Sequence, residues 1–581
     1  MRIIVNGKDA VLKKGTSFDF IAENRSFTGA DGYSLAISFP LRDCPENCAI
    51  FGQLHRIDAD IDKVVFDCEI NDVNLIKHGV LAIVDANEVE IKAQFLEGRS
   101  EQNFDVTFDE IYINELDLGS YPISSLPADP SSQWLGIDNG QEAVALPWVN
   151  NSSGNIQNEV VYANNAYSYH EDCKGLSFQP YLIPIVERIC EALGYTYDLS
   201  QWRNHNSLKY LIVCNTLPWA WDLPQFARVL PRWSVTEFFE KLELFLLGEF
   251  EINHKEKKIT FSFSSDIVDS TTPVRLDKVV NGFSSDVSSD DESNFIGLAN
   301  LRYKDCGHHM NKFYNCPWFV EDYPFGILSY DTLDELISAN LKYQVLKTWG
   351  KNTPTHKILY AKDVDSFFVL KIISSIPTDT IDGFTTYRVV TALRAVNVFG
   401  GKKVEDVTEL EFVPVCIDGA GYSSAFFLDI PEYEESQPNE SIFSIFLSPD
   451  GETMSCQILD EGEKSEQTAY FDEIFVAFWD GKFTRGQYPC PVIDSFSVFD
   501  DWSVQKNNYT LRRDSSIFKN SPFKINPKQK FQFSFISDTI PNVRSVFFVD
   551  GKKYLCEKIT ASFSEKGMSQ LLKGSFYRII D

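Results

Sequence analysis

Residues 232–263 read RWSVTEFFEKLELFLLGEFEINHKEKKITFSF. Ser234 with Glu237 three residues later is the pattern of a capping box, so a helix is expected to begin there. Apolar residues then recur at the three- and four-residue spacing of one helical face. Gly248 is predicted to end the helix. EFEIN and KKITFSF are predicted to form two strands around the polar turn HKEK. The apolar face consists of Val235, Phe238, Phe239, Leu242, Phe245 and Leu246.

A weaker copy of this unit precedes it at 178–198, FQPYLIPIVERICEALGYTYD. Its apolar positions again follow a helical period, and Pro184 fits only in a first turn. Gly194 is expected to take the left-handed conformation that stops a helix, and YTYD is expected to be a strand. The same order of helix, glycine and strand therefore occurs twice. The helical face consists of Leu182, Ile185, Val186, Ile189 and Leu193.

Most of the remaining chain has the alternation and turn residues of β-structure. Residues 63–98 are expected to form strands, 125–165 are loop-rich, and 332–346 predict a third helix with Thr332 and Glu335 as its capping box. Hairpins are predicted at 356–372, 443–459 and 545–563. The acidic run that ends in SSDVSSDDESN is expected to be a solvated loop.

The predicted class is α+β, mostly β, with several β-barrel-like or sandwich domains and small helix–hairpin modules. The predicted ranges are 1–125 for an N-terminal β domain resembling a tube barrel and 126–175 for a long connection. The other predicted ranges are 176–265 for the helix–hairpin modules, 266–350 for an acidic loop and helical insertion, and 351–581 for one or more C-terminal β-rich domains.

The amino-acid composition disfavours some classes of function. The 581 residues include 53 Lys and Arg against 83 Asp and Glu, a formal charge of −30. Binding nucleic acid through its phosphates needs clustered cations, which this balance disfavours. The 12 cysteines are scattered, several within apolar runs, which favours reduced, buried thiols of a protein folded in a cytosol. Residues 1–15 lack the apolar core of a secretion signal, and no apolar run is long enough to predict a membrane span.

The sequence contains few residues in patterns typical of catalytic or metal sites. The sequence lacks HExxH, GxSxG, Walker A and post-strand GxGxxG motifs, so neither a catalytic residue nor a cofactor is predicted. The stretch CGHHMNKFYNC offers thiolate and imidazole ligands, yet its spacing matches no common zinc finger, and a buried or loop role is the alternative. Cys44 and Cys48 could ligate a metal or oxidise, but no second pair lies nearby. The candidate metal ligands are Cys306, His308, His309 and Cys316.

Several stretches resemble tail-hub proteins of tailed phages and related injection machines. The helix–glycine–hairpin unit at 232–261 resembles a recurring hub segment, and YLIPIVERICEALGYTYD resembles its partner helix. RSFTGADGYSLAISFPLRDCPENCAIFG (25–52) and GKKYLCEKITASFSEKGMSQLLKGSFYRI (551–579) resemble tail proteins of phages or prophages of Bacteroidales-type bacteria. Together these segments cover about a quarter of the chain, and they carry packing patterns with no lysin or peptidase motif.

The resemblance implies a structural virion protein, a baseplate or tail hub that caps the tail tube. It implies a homotrimer whose subunits each supply two barrel-like domains, matching a hexameric tube. The implied partners are the tail tube, distal tail proteins and a central spike or fibre, at a tail tip assembled in the cytoplasm of the bacterial host. Three copies would carry a formal charge of 3 × −30 = −90, and an acidic lumen would repel passing DNA without binding it.

Other functions stay open from the sequence. Within the same class, the chain could be a distal tail or adaptor ring, or the base of a receptor-binding fibre. In another class, a glycoside hydrolase or a glycan-binding protein could use the same β scaffold, because aromatic and acidic stretches such as NCPWFVEDYPF (315–325) can stack on sugars. The same stretch could instead pack a trimer interface.

Overall fold

The fold is taken from a computed structural model of the chain. It describes residues 1–28, 32–59, 64–73, 75–97, 108–121, 144–147, 149–150, 156–158, 160–164, 166–169, 176–215, 225–253, 256–287, 300–304, 327–340, 344–347, 358–363, 366–381, 384–396, 407–417, 426–427, 473–481, 484–485, 488–489, 491–493, 496–498, 504–506, 509–511, 513, 516–518 and 524–580. The metal-ligand candidates Cys306, His308, His309 and Cys316 lie outside these ranges, as do the predicted hairpin at 443–459 and the stretch 315–325.

The strands, in chain order, are β1 Arg2–Val5, β2 Lys8–Ala10, β3 Ser17–Glu23, β4 Gly32–Ser34, β5 Ile37–Pro40, β6 Val65–Asp72, β7 Leu75–Ala86, β8 Glu90–Glu97, β9 Val144–Ala145, β10 Val149–Asn150, β11 Ile156–Gln157, β12 Val160–Ala163, β13 Ala166–Tyr169, β14 Gln179–Pro180, β15 Thr196–Asp198, β16 Leu211–Cys214, β17 Gly248–Asn253, β18 Lys258–Phe263, β19 Val274–Arg275, β20 Val279–Val287, β21 Asn300–Tyr303, β22 Ile327–Tyr330, β23 Gln344–Lys347, β24 Ile358–Ala361, β25 Ser366–Ile381, β26 Phe384–Val396, β27 Val407–Leu410, β28 Phe412–Pro414, β29 Cys416–Ile417, β30 Phe426–Phe427, β31 Ile474–Phe478, β32 Thr484–Arg485, β33 Tyr488–Pro489, β34 Phe496–Val498, β35 Val504–Lys506, β36 Lys524–Ile536, β37 Val546–Val549, β38 Lys552–Ser564, β39 Gly567–Met568 and β40 Leu571–Ile580.

The α-helices are α1 Arg25–Thr28, α2 Pro45–Phe51, α3 Leu182–Ala192, α4 Ser200–Arg203, α5 Val235–Leu246, α6 Ser264–Ser270 and α7 Leu333–Asn340. Short 3-10 helices span Leu208–Tyr210, Phe226–Val229 and Ser516–Phe518. The mostly β prediction is confirmed. None of the helices in the described ranges combines the length and apolar character needed to cross a membrane.

The chain divides into two compact units, each built from separated segments. Unit 1 combines Met1–Glu110, Leu247–Ala299 and Lys519–Asp581, and unit 2 combines Ile111–Leu246 with Asn300–Phe518. The predicted domain ranges are contiguous in sequence, whereas both units are assembled from distant parts. The predicted connection at 126–175 also contains the short strands β9 to β13. One boundary between the units falls within the quoted segment, between its helix and its hairpin.

One large sheet forms most of unit 1. Its strands lie in the order β2-β1-β6-β7-β8-β4-β3-β38-β40-β36-β20, with β5, β19, β37 and β39 attached to the side of this path. The two strands at the ends of the path do not pair with each other in the described residues, so the ladder there is open and no closed barrel is found. The sheet buries an aromatic-rich core that draws on all three segments of the unit.

The antiparallel pairing of β3 with β38 joins the beginning and the end of the described chain. It runs over seven residue pairs, from Ser17 opposite Ser564 to Glu23 opposite Lys558. The rings of Phe18 and Phe563 stack with their centroids 5.3 Å apart. Segments at 1–110 and 519–581, which the sequence patterns place in separate domains, therefore share one sheet and one core.

Unit 2 contains several smaller sheets. The strands β16, β31 and β28 form one that is buried throughout, and a five-stranded sheet has the order β22-β24-β25-β26-β23. A four-stranded sheet has the order β11-β10-β30-β29, and two-stranded pairs are β12-β13, β14-β9, β21-β27, β32-β33 and β34-β35.

Two predicted helix starts and one predicted stop are confirmed. The amide of Glu237 donates to Ser234 Oγ, and the amide of Glu335 donates to Thr332 Oγ1. Gly194, which follows the C-cap residue Leu193 of α3, has a φ of 76°, as the predicted left-handed stop requires, and β15 comes after it. The third helix, α7, ends at Asn340 and is shorter than the predicted range 332–346. The end of that range belongs to the strand β23, which pairs with the distant β26.

The predicted helix stop at Gly248 is wrong. Leu247 takes the left-handed conformation, with a φ of 56°, while Gly248 is the first residue of β17. A non-glycine residue in this conformation costs roughly 1–2 kcal/mol. The glycine is needed one residue later for space: a Cβ there would lie 2.4 Å from Phe261 Cζ and 2.9 Å from Ser262 O.

The described hairpins follow their sequence signals. Strands β17 and β18 pair over six residues from Gly248 opposite Phe263 to Asn253 opposite Lys258. Strands β24 and β25 form the hairpin predicted at 356–372. In the hairpin of β37 and β38, the turn residues Asp550 and Gly551 both have positive φ, at 47° and 74°, as a type I′ turn requires.

The close approach at Gly248 gives a stability prediction. Gly248→Ala should lower the free energy of unfolding by about 1–3 kcal/mol, because the added methyl group overpacks the contact with Phe261. Equilibrium urea unfolding measures the change. Glu251→Ala, on the exposed face of the same strand, is the matched control and should stay within about 0.5 kcal/mol of the parent. Equal stability of Gly248→Ala and the parent would contradict the close approach.

Candidate functional site

The N-terminus of α5 is fixed by side-chain and backbone hydrogen bonds. The Ser234 amide donates to Glu237 Oε2 at 3.0 Å, and the Glu237 amide donates to Ser234 Oγ at 3.1 Å. This is the reciprocal capping box that the sequence predicts. The Val235 amide donates to Ile111 O at 2.8 Å, and the Ile113 amide donates to Trp233 O at 2.9 Å. The start of the helix is therefore held to the segment before residue 121.

The apolar face of α5 packs on Phe412 of β28. The Phe412 ring lies 5.1 Å from Phe245, 5.7 Å from Trp233 and 6.1 Å from Phe238, measured between ring centroids. All four side chains are at most 4% exposed. Aromatic pairs at these distances add about 0.5–1.5 kcal/mol each beyond the area they bury. The helix face predicted from the sequence is thus an aromatic packing surface, and Phe412 is its centre.

Lys241 covers one side of this aromatic cluster. Its Nζ lies 4.1 Å from the centroid of the Trp233 ring, 2.8 Å from Glu411 Oε2 and 3.7 Å from Glu237 Oε1. The ammonium therefore combines a cation–π contact with two carboxylate neighbours. Because these groups are partly exposed, the ion pairs contribute little to stability, and their main effect is to orient the lysine over the ring.

Arg513 binds the C-terminal end of α5. Its Nη1 donates to Phe245 O at 2.7 Å and its Nη2 donates to Leu244 O at 3.2 Å. These are carbonyl groups of the last turn, which have no partner within the helix, and a cation there also complements the helix dipole. The guanidinium stacks on Phe518 at 4.2 Å. Burial lowers the pKa of Arg513, while burial raises the pKa of the neighbouring Tyr303 to about 12.

Unit 2 also contains a buried network of hydrogen bonds between uncharged polar side chains and the backbone. Asn158 Nδ2 donates to Pro147 O at 2.8 Å and to Ser177 O at 2.6 Å. Gln179 Nε2 donates to Ser177 Oγ at 2.9 Å and to Asn215 O at 3.0 Å, while the Asn215 amide donates to Gln179 Oε1 at 2.6 Å. These side chains are buried. A satisfied buried network specifies one arrangement of its loops, because losing any member leaves polar atoms unpaired.

Unit 1 contains a buried charge cluster around the start of β17. Glu249 Oε2 lies 3.0 Å from Arg544 Nη2 and 3.8 Å from Arg25 Nη1. Nη1 and Nη2 of Arg25 also donate to Phe250 O, at 3.1 Å and 3.2 Å. Removing one partner of such a buried pair is strongly destabilising, because the remaining charge loses its compensation. The cluster ties the three segments of unit 1 together.

The described cysteines have the character of packing residues. Cys44, Cys48, Cys68, Cys190, Cys214 and Cys556 form no disulfides, and all except Cys48 are buried. Burial raises the pKa of Cys190 to about 12 and that of Cys214 well above its ordinary value. A thiol protonated at neutral pH is a poor nucleophile and metal ligand. Cys48 Sγ lies 3.9 Å from His55 Nδ1 and 3.2 Å from Leu41 O. In the described ranges, no group of three or more His, Cys, Asp or Glu could hold a metal ion.

Comparisons with known proteins do not assign the chain to a family. No protein-family model matches the chain, and no curated protein matches it. Among solved structures, one match is the 43 kDa tail protein of prophage MuSo2 from Shewanella oneidensis, at 8% identity and a TM-score of 0.30, covering 100% of this chain and 97% of that chain. A TM-score of this size does not establish a shared fold.

Some residues that shape these sites have no sequence signal. Phe412 and Arg513 contact α5 from positions far along the chain, and neither lies in a recognisable motif. The buried polar residues Asn158, Gln179 and Asn215 likewise fall in stretches that resemble ordinary loops and short strands. Local spacing identifies the capping box and the apolar face of α5, and it does not identify the distant residues that contact them.

The capping box can be tested by a matched pair of substitutions. Glu237→Gln should change the free energy of unfolding by less than about 0.5 kcal/mol, because glutamine can still accept from the Ser234 amide. Ser234→Ala should cost about 1 kcal/mol, because the Glu237 amide loses its acceptor. Equilibrium urea unfolding of unit 2 measures both. Equal stability of Ser234→Ala and the parent would show that the box does not stabilise α5.

Proposed function

We propose that this chain is a structural virion protein of a phage tail tip, a baseplate or tail hub that caps the tail tube. The observation that carries the proposal is the local fold of the segment that resembles hub proteins. Residues 232–263 form a capped helix followed by a two-stranded hairpin, and the copy at 181–198 forms a helix, a left-handed glycine and a strand. These are the elements that the resemblance leads one to expect at these positions.

The chemistry of the described residues supports a scaffold over an enzyme. The side-chain contacts described above are aromatic pairs, helix caps and buried ion pairs, which orient backbone segments. The thiols with raised pKa values are poor nucleophiles. We therefore propose that the chain has no catalytic activity of its own and that its function is to hold shape.

The charge balance supports a role along a DNA path. With a formal charge of −30 per chain, a ring of copies would repel phosphates at short range. We propose a homotrimer with an acidic lumen, through which DNA passes without specific binding. Its proposed partners are the tail tube, the distal tail proteins and a central spike or fibre, in a virion assembled in the host cytoplasm.

Native mass spectrometry tests the oligomeric part of the proposal. The purified chain should give a complex of three subunits, and the trimer should dock onto isolated tail-tube rings in negative-stain images. A hexamer or dodecamer that docks in the same way would instead indicate a distal tail or adaptor ring. A monomer that ignores tube rings and releases sugars from host capsule would overturn the proposal and favour a glycoside hydrolase. Binding of capsule without release would favour a glycan-binding protein.

A further inference from the structure

The large sheet of unit 1 ends in two unlike edges. At one end, β2 is three residues long, and Asn47 of α2 covers the backbone just beyond it by accepting from the Val11 amide and donating to Val11 O, both at 2.8 Å. At the other end, β20 is nine residues long and pairs on one side with β36. In the part of the chain that the structure describes, β20 has no ladder partner on its other side.

The outer strand β20 exposes large apolar side chains. Phe283 is 65% exposed and Val287 is 74% exposed. They stand opposite Phe533 and Gln529 of β36, with Ser285 between them opposite Phe531. Residues two apart in a strand lie on the same face, so Phe283, Ser285 and Val287 share one face. A long edge strand with exposed apolar residues is a template for pairing with another strand.

The register of β20 limits where a new strand can pair. The ladder with β36 shifts between Val280 and Phe283, where Gly282 has a φ of 71°. A bulge of this kind interrupts regular pairing on both sides of the strand. The five residues from Phe283 to Val287 are the regular part of the edge.

We propose that this edge is a homotypic docking site, at which β20 pairs antiparallel with β20 of a second copy around a two-fold axis at Ser285. Phe283 then stands opposite Val287 of the second copy, and Val287 stands opposite Phe283 of the second copy. Both exposed side chains gain an aromatic–aliphatic cross-strand partner. Ser284 stands opposite Asp286 of the second copy, so no like charges face each other. A shift by one residue would place Phe283 opposite Asp286 and lose both apolar pairs.

The charge within β20 favours the antiparallel direction. Among the five residues from Phe283 to Val287, Asp286 is the one charged residue. Parallel pairing in register would place Asp286 directly opposite Asp286 of the second copy, and like charges directly opposite each other are unfavourable. Antiparallel pairing around Ser285 avoids this contact.

The contact is small. Five paired residues bury less than the roughly 1,200 Å² of a stable specific interface, so we expect a weak, concentration-dependent association. Such an edge could join copies that are already held at high local concentration in a larger assembly.

Cross-linking through an introduced cysteine tests the register directly. In Ser285→Cys, the two thiols lie opposite each other at the two-fold axis, within reach of a disulfide. At about 100 µM protein under mild oxidation, this variant should give at least tenfold more covalent dimer than the parent chain, whose native thiols set the background. Adding Phe283→Lys should reduce that yield at least fivefold, because it removes both apolar pairs and introduces a cation at each.

Ser284→Cys is the matched control. Its thiol lies on the opposite face and would be diagonal to its counterpart, with Cα atoms about 7–8 Å apart, too far for an unstrained disulfide. It should therefore stay near the background of the parent. Equal yields at 284 and 285, or no yield at 285 above background, would overturn the proposal. The cross-link reports only this contact, so its failure leaves the tail-tip proposal intact, and a failed trimer test leaves this contact intact.

Discussion

The pairing of β3 with β38 is the constraint on which unit 1 depends. It brings together segments more than 530 residues apart in sequence and merges the sheet of β1 to β8 with that of β36 to β40. Closing such a long loop costs conformational entropy that local contacts cannot offset, so the seven residue pairs and the shared aromatic core must do so together. The buried cluster of Glu249, Arg25 and Arg544 then fixes the third segment against the same sheet.

The helix α5 shows the same principle inside unit 2. Its N-terminus is capped by a local capping box, whereas its C-terminal carbonyl groups accept hydrogen bonds from Arg513, which is 268 residues away from Phe245 in sequence. Its buried face rests on Phe412, which belongs to yet another segment. A helix held at both ends and along one face by three separate parts of the chain is suited to keeping a fixed geometry. That property supports the proposed structural function.

Local patterns could predict the elements and could not predict their assembly. The capping boxes at Ser234 and Thr332, the left-handed Gly194 and the turn at Asp550–Gly551 each depend on residues a few positions apart, and spacing alone identifies them. The prediction that Gly248 ends the helix was wrong. A glycine is required there because Phe261 on the paired strand leaves no space for a side chain, and the buried residue Leu247 has the positive φ. The division into two units, each built from separated segments of the sequence, depends on pairings such as β3 with β38 and β23 with β26, which have no short-range sequence signal.

We infer that the three distant segments of unit 1 form one cooperative scaffold. Native-state hydrogen exchange of the whole chain tests it most directly, because amides in one cooperative unit open with one free energy. We expect the amides of buried residues in β3 (Phe18, Phe20, Ala22) and in β38 (Ile559, Ala561, Phe563) to exchange with the same opening free energy, within about 1 kcal/mol, and to lose protection together as urea is added. Exchange in β3 at least 100-fold faster than in β38 would contradict it, since the two segments would then open independently.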